Sequence, residues 1–154
     1  MHNDKCLKLS WATINDLVDS LALMVAPKRP SLVVGVSRGG LVPATMLSHR
    51  LNKPLELIQC SAYTGTKRTS FPVEVKGWQG KYNSPSVIIV DDILDTGDTY
   101  ATLMSFERAE GSEFTFATLV NKQCIRFGAF RNYVMQVPKE VWIQFPWEVL
   151  DAPF

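Results

Sequence analysis

Between Ser86 and Leu103 the chain reads SVIIVDDILDTGDTYATL, and no other stretch constrains the fold as much. Val87-Ile88-Ile89-Val90 is an apolar, β-branched run, the pattern of a strand buried on both faces of a sheet. It leads straight into Asp91 and Asp92. Two adjacent carboxylates at the end of a buried strand repel each other and lose hydration, so a plain turn has no use for them. Asp95-Thr96-Gly97-Asp98-Thr99 comes next, then a helical stretch from about Thr99 to Ala109. Strand, acids, glycine turn and helix in this order describe one unit of an α/β sheet whose loop faces a ligand.

The remaining segments suit such a sheet. Ser10 is placed to cap a helix whose apolar residues Ile14, Leu17, Val18, Leu21, Met24 and Val25 keep helical spacing, ended by Pro27 and Pro30. SLVVGV (Ser31 to Val36) reads as a buried strand, LVPATMLSHRL as a helix with Pro43 in its first turn, and PLELIQCSAY as a second strand. EFTFATLVN and YVMQV complete the strands, and the tail VWIQFPWEVLDAPF shows neither helical nor strand period. Thr64 to Pro85 is polar, basic and rich in glycine and proline, with one short strand around Phe71 to Val75; a connection this long is more often functional or mobile than idle. The expectation is an α/β fold with a doubly wound, mainly parallel sheet, as one domain over residues 1–154.

Composition removes several function classes. A formal net charge of +1 gives no global field for nucleic acid or a membrane surface. No apolar run approaches the roughly 20 residues of a membrane span. MHNDKCLKLSW has charges where a signal peptide has its apolar core, and Cys6, Cys60 and Cys124 are far apart with no CxxC spacing. Buried free thiols and a cytoplasmic setting are expected.

Three segments at strand ends should converge on one face: SRGG, SAYTGTKR and DDILDTGDT. In DTGDT, Gly97 permits a tight turn, amides at a helix start point outward and two threonines add hydroxyls, which together make a phosphate cradle; an ordinary helix cap is the alternative. Asp91 and Asp92 suit a sugar diol or Mg²⁺, unless a nearby lysine or arginine simply neutralises them. Ser37-Arg38-Gly39-Gly40 is a second anion site, with glycines for close backbone approach and a forked donor in Arg38. Lys122 is equally well read as a solvated strand-end lysine, and Trp142 and Trp147 as packing aromatics.

VIIVDDILDTGDT resembles the phosphoribosyl-pyrophosphate (PRPP) signature of type I phosphoribosyltransferases. SRGG is similar to the pyrophosphate loop of their bacterial xanthine-guanine and hypoxanthine-guanine branch, and Val141 to Glu148, VWIQFPWE, to its base-binding hood. The resemblance runs in matching order from about Ser10 to Glu148. It implies the type I phosphoribosyltransferase fold with a small C-terminal hood at about residues 138–154 and a mobile loop from Tyr63 to about Lys81 that closes as a lid. The implied activity is purine salvage, in which the phosphoribosyl group of PRPP passes to guanine, xanthine or hypoxanthine and pyrophosphate leaves. Mg²⁺ is the implied cofactor and a homo-dimer or tetramer the implied assembly.

Residue by residue, the resemblance gives Asp95, Thr96, Gly97, Asp98 and Thr99 the 5′-phosphate, and Asp91 and Asp92 the ribose hydroxyls, with Asp92 also meeting the metal. Ser37, Arg38, Gly39 and Gly40 bind pyrophosphate, across a Ser37–Arg38 peptide that is often cis in the family. Asp95 also serves the base near N7, Lys122 meets O6, Trp142 stacks on the ring, and the Ile143 backbone contacts the C2 side. The chain departs from the pattern at Ala62-Tyr63, where Ser-Tyr is common, and at Asn121 and Gln123, where small and proline residues usually flank the lysine. Two other readings stand beside this one: a PRPP- or nucleotide-sensing regulator on the same fold, and a phosphoribosyltransferase for another base.

Overall fold

The computed structural model describes residues 5–61, 63–64, 67–68, 74–78, 84–105, 112–123 and 131–148. Along them run β1 (Cys6–Lys8), α1 (Trp11–Val25), β2 (Leu32–Ser37), α2 (Leu41–Leu51), β3 (Leu55–Ser61), β4 (Tyr63–Thr64), β5 (Lys67–Arg68), β6 (Glu74–Gly77) and β7 (Ser86–Leu94). α3 (Asp98–Met104), β8 (Glu113–Asn121), β9 (Tyr133–Gln136) and β10 (Trp142–Gln144) follow. The main sheet has the order β6-β3-β2-β7-β8-β9, and only the edge strand β6 is antiparallel to its neighbour. This is the doubly wound, mainly parallel α/β sheet that the sequence led one to expect.

Local chemistry accounts for the helices. The Ser10 hydroxyl accepts the Thr13 N–H at 3.1 Å and caps α1, whose residues Ile14, Val18, Leu21 and Val25 are buried. A 3₁₀ turn over Ala26–Lys28 takes up Pro27. α2 ends at Asn52, which adopts a left-handed φ of 50°. Alternation along the central strands divides the core in two. Val33, Ile88 and Val90 pack with Ala44 and Leu47 of α2 and the buried face of α1. Val34, Val36 and Ile89 face the other way, toward Leu103 of α3, Phe114 and Phe116.

Four expectations are corrected. β7 does not stop at Val90 but continues to Leu94 and carries both acids, because β8 offers backbone partners as far as Leu94↔Asn121. The tail is not without a strand: β10 pairs in parallel with β1 in the register Cys6↔Trp142, Leu7↔Ile143 and Lys8↔Gln144, and three residues are too few to display a period. The short strand of the long connection is Glu74–Gly77, later than Phe71 to Val75. Cys6 is exposed, not buried, and Cys60 is half-buried, its thiol pushed up to about 11 by burial and by the charge of Asp91. α3 ends at Met104 among the described residues, and Cys124 lies outside them. The expected lid is described only at β4, β5 and the segment 74–78; β4 and β5 pair antiparallel, and the rest lies outside the described residues.

Leu21 is fully buried, whereas Leu23, two positions along the same helix, is 80% exposed. Leu21→Ala should therefore lower unfolding stability by about 2–5 kcal/mol. Leu23→Ala should change it by no more than about 0.5 kcal/mol. Urea unfolding of the two variants checks the helical phase.

Candidate active site

The chain leaves β7 at Leu94 and turns through Asp95, Thr96 and Gly97 into α3. Gly97 makes this possible: its φ of 84° lies in the left-handed region, which a side chain rarely tolerates. The Thr96 hydroxyl donates to Asp98 Oδ2 at 3.1 Å and holds the turn. Asp95 to Thr99 rim a cleft of about 190 Å³, with Asp91, Tyr100 and Phe116 also on its wall. The cleft has room for a phosphate and faces the amides at the start of the helix.

β2 and β7 are neighbours from which the chain departs in opposite directions along the sheet, the switch point where α/β sheets bind ligands. Ser37 ends β2 there, the Ser37–Arg38 peptide is cis, and Arg38 is exposed. The following glycines lie on the end of β7. A Cβ at Gly40 would sit 2.5 Å from the Val90 carbonyl oxygen, and one at Gly39 would collide with the Asp92 carboxylate. Only hydrogen fits at either position.

The acids beneath this loop are poorly solvated. Asp92 is 9% exposed, and its N–H donates to Asp91 Oδ1 at 2.9 Å. Burial, then the charge of Asp92, holds the Asp91 carboxyl well above the usual carboxylate range. Burial raises Asp92 to about 6, and Glu148 of the C-terminal tail adds to the rise. Glu148 is itself anchored, accepting the Phe145 N–H at 3.1 Å.

A third group forms where β8 ends. Because Leu94 pairs with Asn121, the next residues of the two strands stand side by side, and Lys122 Nζ lies 3.7 Å from Asp95 Oδ2. The Lys122 side chain is only 10% exposed, so it is not a solvated strand-end lysine. It lines a cleft of about 380 Å³ with Trp142, Cys6 and Glu140. Trp142 is 55% exposed, whereas the Ile143 side chain is buried in the core and leaves only its backbone for contact. Trp147 packs between Phe145, stacked at 4.7 Å, and Trp11 at 6.0 Å.

A phosphate-sized turn, an acid pair under a glycine loop and an aromatic-walled cleft thus share one edge of the sheet. A family profile described as phosphoribosyl transferase domain matches residues 8–152. The chain belongs to this family. It is 27% identical to a xanthine-guanine phosphoribosyltransferase of Idiomarina loihiensis over 96% of this chain and 90% of that protein. A xanthine-guanine phosphoribosyltransferase of Nitratidesulfovibrio vulgaris is 30% identical over 94% of this chain and 85% of its own. The crystal structure of a purine phosphoribosyltransferase from Pyrococcus horikoshii superposes with a TM-score of 0.73 at 29% identity, covering 96% of this chain and 97% of the other.

Within this phosphoribosyl transferase domain, sequence reasoning did not find Cys6, Glu140 and Glu148. The first two reach the cleft only through the β1–β10 pairing, which no local pattern announces. Glu148 was visible only as part of the tail motif.

The acid pair has a consequence for the ligand-free protein. Asp92 holds its proton up to about 6, against 3.8 for an unperturbed carboxyl, and Asp91 is shifted in the same direction. The folded chain therefore binds more protons than the unfolded one in that window, and stability falls as pH rises through it. Calorimetry without ligand should show a higher Tm at pH 5 than at pH 7 from this source. Asp91→Asn, which keeps the acceptor but removes the acid, should raise the Tm at pH 7 and flatten the profile. A lower Tm for the variant at pH 7 would contradict this account of the pair.

Proposed function

We propose that this chain is a PRPP-dependent purine phosphoribosyltransferase that transfers the phosphoribosyl group to a 6-oxopurine, guanine, xanthine or hypoxanthine, giving the nucleoside monophosphate and pyrophosphate. The observation that carries the reading is the Asp95–Lys122 pair, 3.7 Å apart, which joins the phosphate turn to the cleft walled by Trp142. The ammonium has donors only and suits a carbonyl O6; the carboxylate has acceptors only and suits a ring N–H at N7. These two purine atoms are neighbours on one edge of the ring, as the two side chains are neighbours in the site.

The turn from Asp95 to Thr99 holds the 5′-phosphate, Asp91 and Asp92 the ribose hydroxyls, and Ser37, Arg38, Gly39 and Gly40 the pyrophosphate. Trp142 stacks on the base and the Ile143 backbone meets its C2 side. In the reaction a purine nitrogen bonds to the ribose carbon as the bond to pyrophosphate breaks. Positive charge grows on the sugar, next to the carboxylates, while Arg38 draws negative charge from the leaving group. Asp95 accepts the proton of the base. Closure of the segment from Tyr63 to about Lys81 would exclude water.

Mg²⁺ fits the donor set. Two crowded carboxylates whose protons are held tightly are stabilised by a cation, and Asp92 is the protein's ligand. Among the described residues no cluster of three or more metal-ligating side chains exists, so Asp92, with Asp91 beside it, would hold the ion together with oxygens of the substrate. When bound, the ion neutralises the pyrophosphate.

No helix among the described residues is long and apolar enough to cross a membrane. A cytoplasmic setting, no nucleic-acid partner and assembly as a dimer or tetramer belong to the same reading, and the exposed Leu55 and Leu57 of β3 supply apolar surface for assembly.

Purified protein with PRPP, Mg²⁺ and each of five free bases tests the proposal. At least one oxopurine should exceed adenine in kcat/KM by a wide margin, since a site built around one polar partner rejects the analogue lacking it by roughly 10⁴–10⁵. Lys122→Met should shrink the margin mainly by losing the oxopurine. Efficient use of adenine by the unmodified protein would overturn the assignment.

A further inference from the structure

The turn proposed to take a phosphate already holds an acid of its own. Asp91, Asp95 and Asp98 all line the cleft of about 190 Å³, and among the described residues its wall carries no lysine or arginine. The three acids are not equivalent. Asp95 stands 3.7 Å from Lys122, and burial holds the Asp91 carboxyl toward its neutral form. Asp98 turns to the loop itself: its Oδ2 accepts the Thr96 hydroxyl at 3.1 Å, and its N–H donates to the Thr96 oxygen at 3.4 Å. A threonine hydroxyl has one proton to give. In the ligand-free turn that proton is engaged by Asp98.

We infer that the Asp98 carboxylate is a built-in competitor of the 5′-phosphate: it occupies the Thr96 hydroxyl in the empty turn, must yield it to a bound phosphate, and so loosens the hold on substrate and product alike. The inference rests on the proposed function above, which puts the 5′-phosphate in this turn. Carboxylate and phosphate are both acceptors, so they cannot share one donor proton. Both are also anions, and a phosphate close enough to reach Thr96 meets like charge across the turn.

The 5′-phosphate is the part that PRPP and the nucleotide product have in common, and the reaction leaves it unchanged. A weaker grip there lowers the affinity for both by the same factor. More PRPP is then needed to fill the site, and the nucleotide leaves it sooner. The Thr96–Asp98 contact is exposed, and solvent screens it, so an effect of about tenfold is expected, not exclusion of the phosphate.

The test is calorimetric titration of ribose 5-phosphate and of inosine 5′-monophosphate, with inosine as the ligand that lacks the phosphate. Asp98→Ala frees the hydroxyl and removes the charge, and should bind both phosphates about tenfold more tightly than the unmodified protein, with inosine unchanged. Asp98→Asn keeps an acceptor for Thr96 but not the charge, and should gain less. In a Thr96→Val background the contested hydroxyl is gone, so Asp98→Ala should gain only the part due to charge. Release of the nucleotide, followed by stopped flow, should slow in Asp98→Ala by about the factor by which its affinity rises. Phosphate affinity unchanged or lowered in both Asp98 variants would overturn the inference and leave Asp98 as a residue that only holds the turn. An equal gain with and without the Thr96 hydroxyl would also overturn it. Tighter phosphate binding by Asp98→Ala, with no turnover of PRPP and any free base by the unmodified protein, would uphold the competitor and remove the enzymatic reading. No binding of either phosphate by any form would remove both.

Discussion

The parallel ladder between β7 and β8 holds the site together. It keeps one register from Ser86↔Glu113 to Leu94↔Asn121, with Asp92 left out of the pairing, and continues past the point where the apolar sequence of β7 gives out. Three kinds of chemistry depend on it. It supports the backbone under the acids, delivers the chain to the Gly97 turn, and sets Asp95 beside Lys122. A slip of one residue would reverse every side chain of β7, exchanging the faces of the two acids and turning the core residues over with them. Position in this protein is therefore set mainly by backbone hydrogen bonds, with the functional groups at the end of a rigid rod.

Against that order stands a local conflict. Asp91 and Asp92 are crowded under Gly39 and Gly40, with Glu148 near enough to be felt by Asp92. Nothing in the apolar core gains from this arrangement. It lowers the stability of the ligand-free protein at neutral pH, and the cation and sugar hydroxyls proposed to bind there would relieve the crowding of the two carboxyls. The two glycines belong to the same compromise: Gly39 brings backbone against the Asp92 carboxylate, and Gly40 packs against the backbone of Val36, Val90 and Asp91.

Sequence periodicity revealed the layered part of the molecule well. α2 over Leu41–Leu51 and β8 over Glu113–Asn121 are where their apolar patterns put them, because burial on a helix face or in a sheet interior writes a local signature. The extent of β7 was not legible, since acids signal a strand end unless a neighbouring strand supplies partners beyond them. β1 and β10 were illegible for a different reason: three residues display no period, and each is a strand only because the other is present. The PRPP-like motif located the acids and the turn, and the tail motif located Trp142, whereas Cys6 and Glu140 entered the cleft through contacts between distant parts of the chain.

That pairing bears on the order in which the molecule can be completed during synthesis. β1 is made before every other described element, yet its partner β10 emerges only after all the described strands of the main sheet have been translated. The phosphate turn and the glycine loop lie between them in sequence and can be assembled from segments already available. The wall carrying Trp142 cannot, because its strand must return to Lys5 through Lys8. A nascent chain would thus complete the Gly97 turn and the loop at Gly39 and Gly40 before the cleft walled by Trp142, and the two sides of the proposed substrate site would be born at different times.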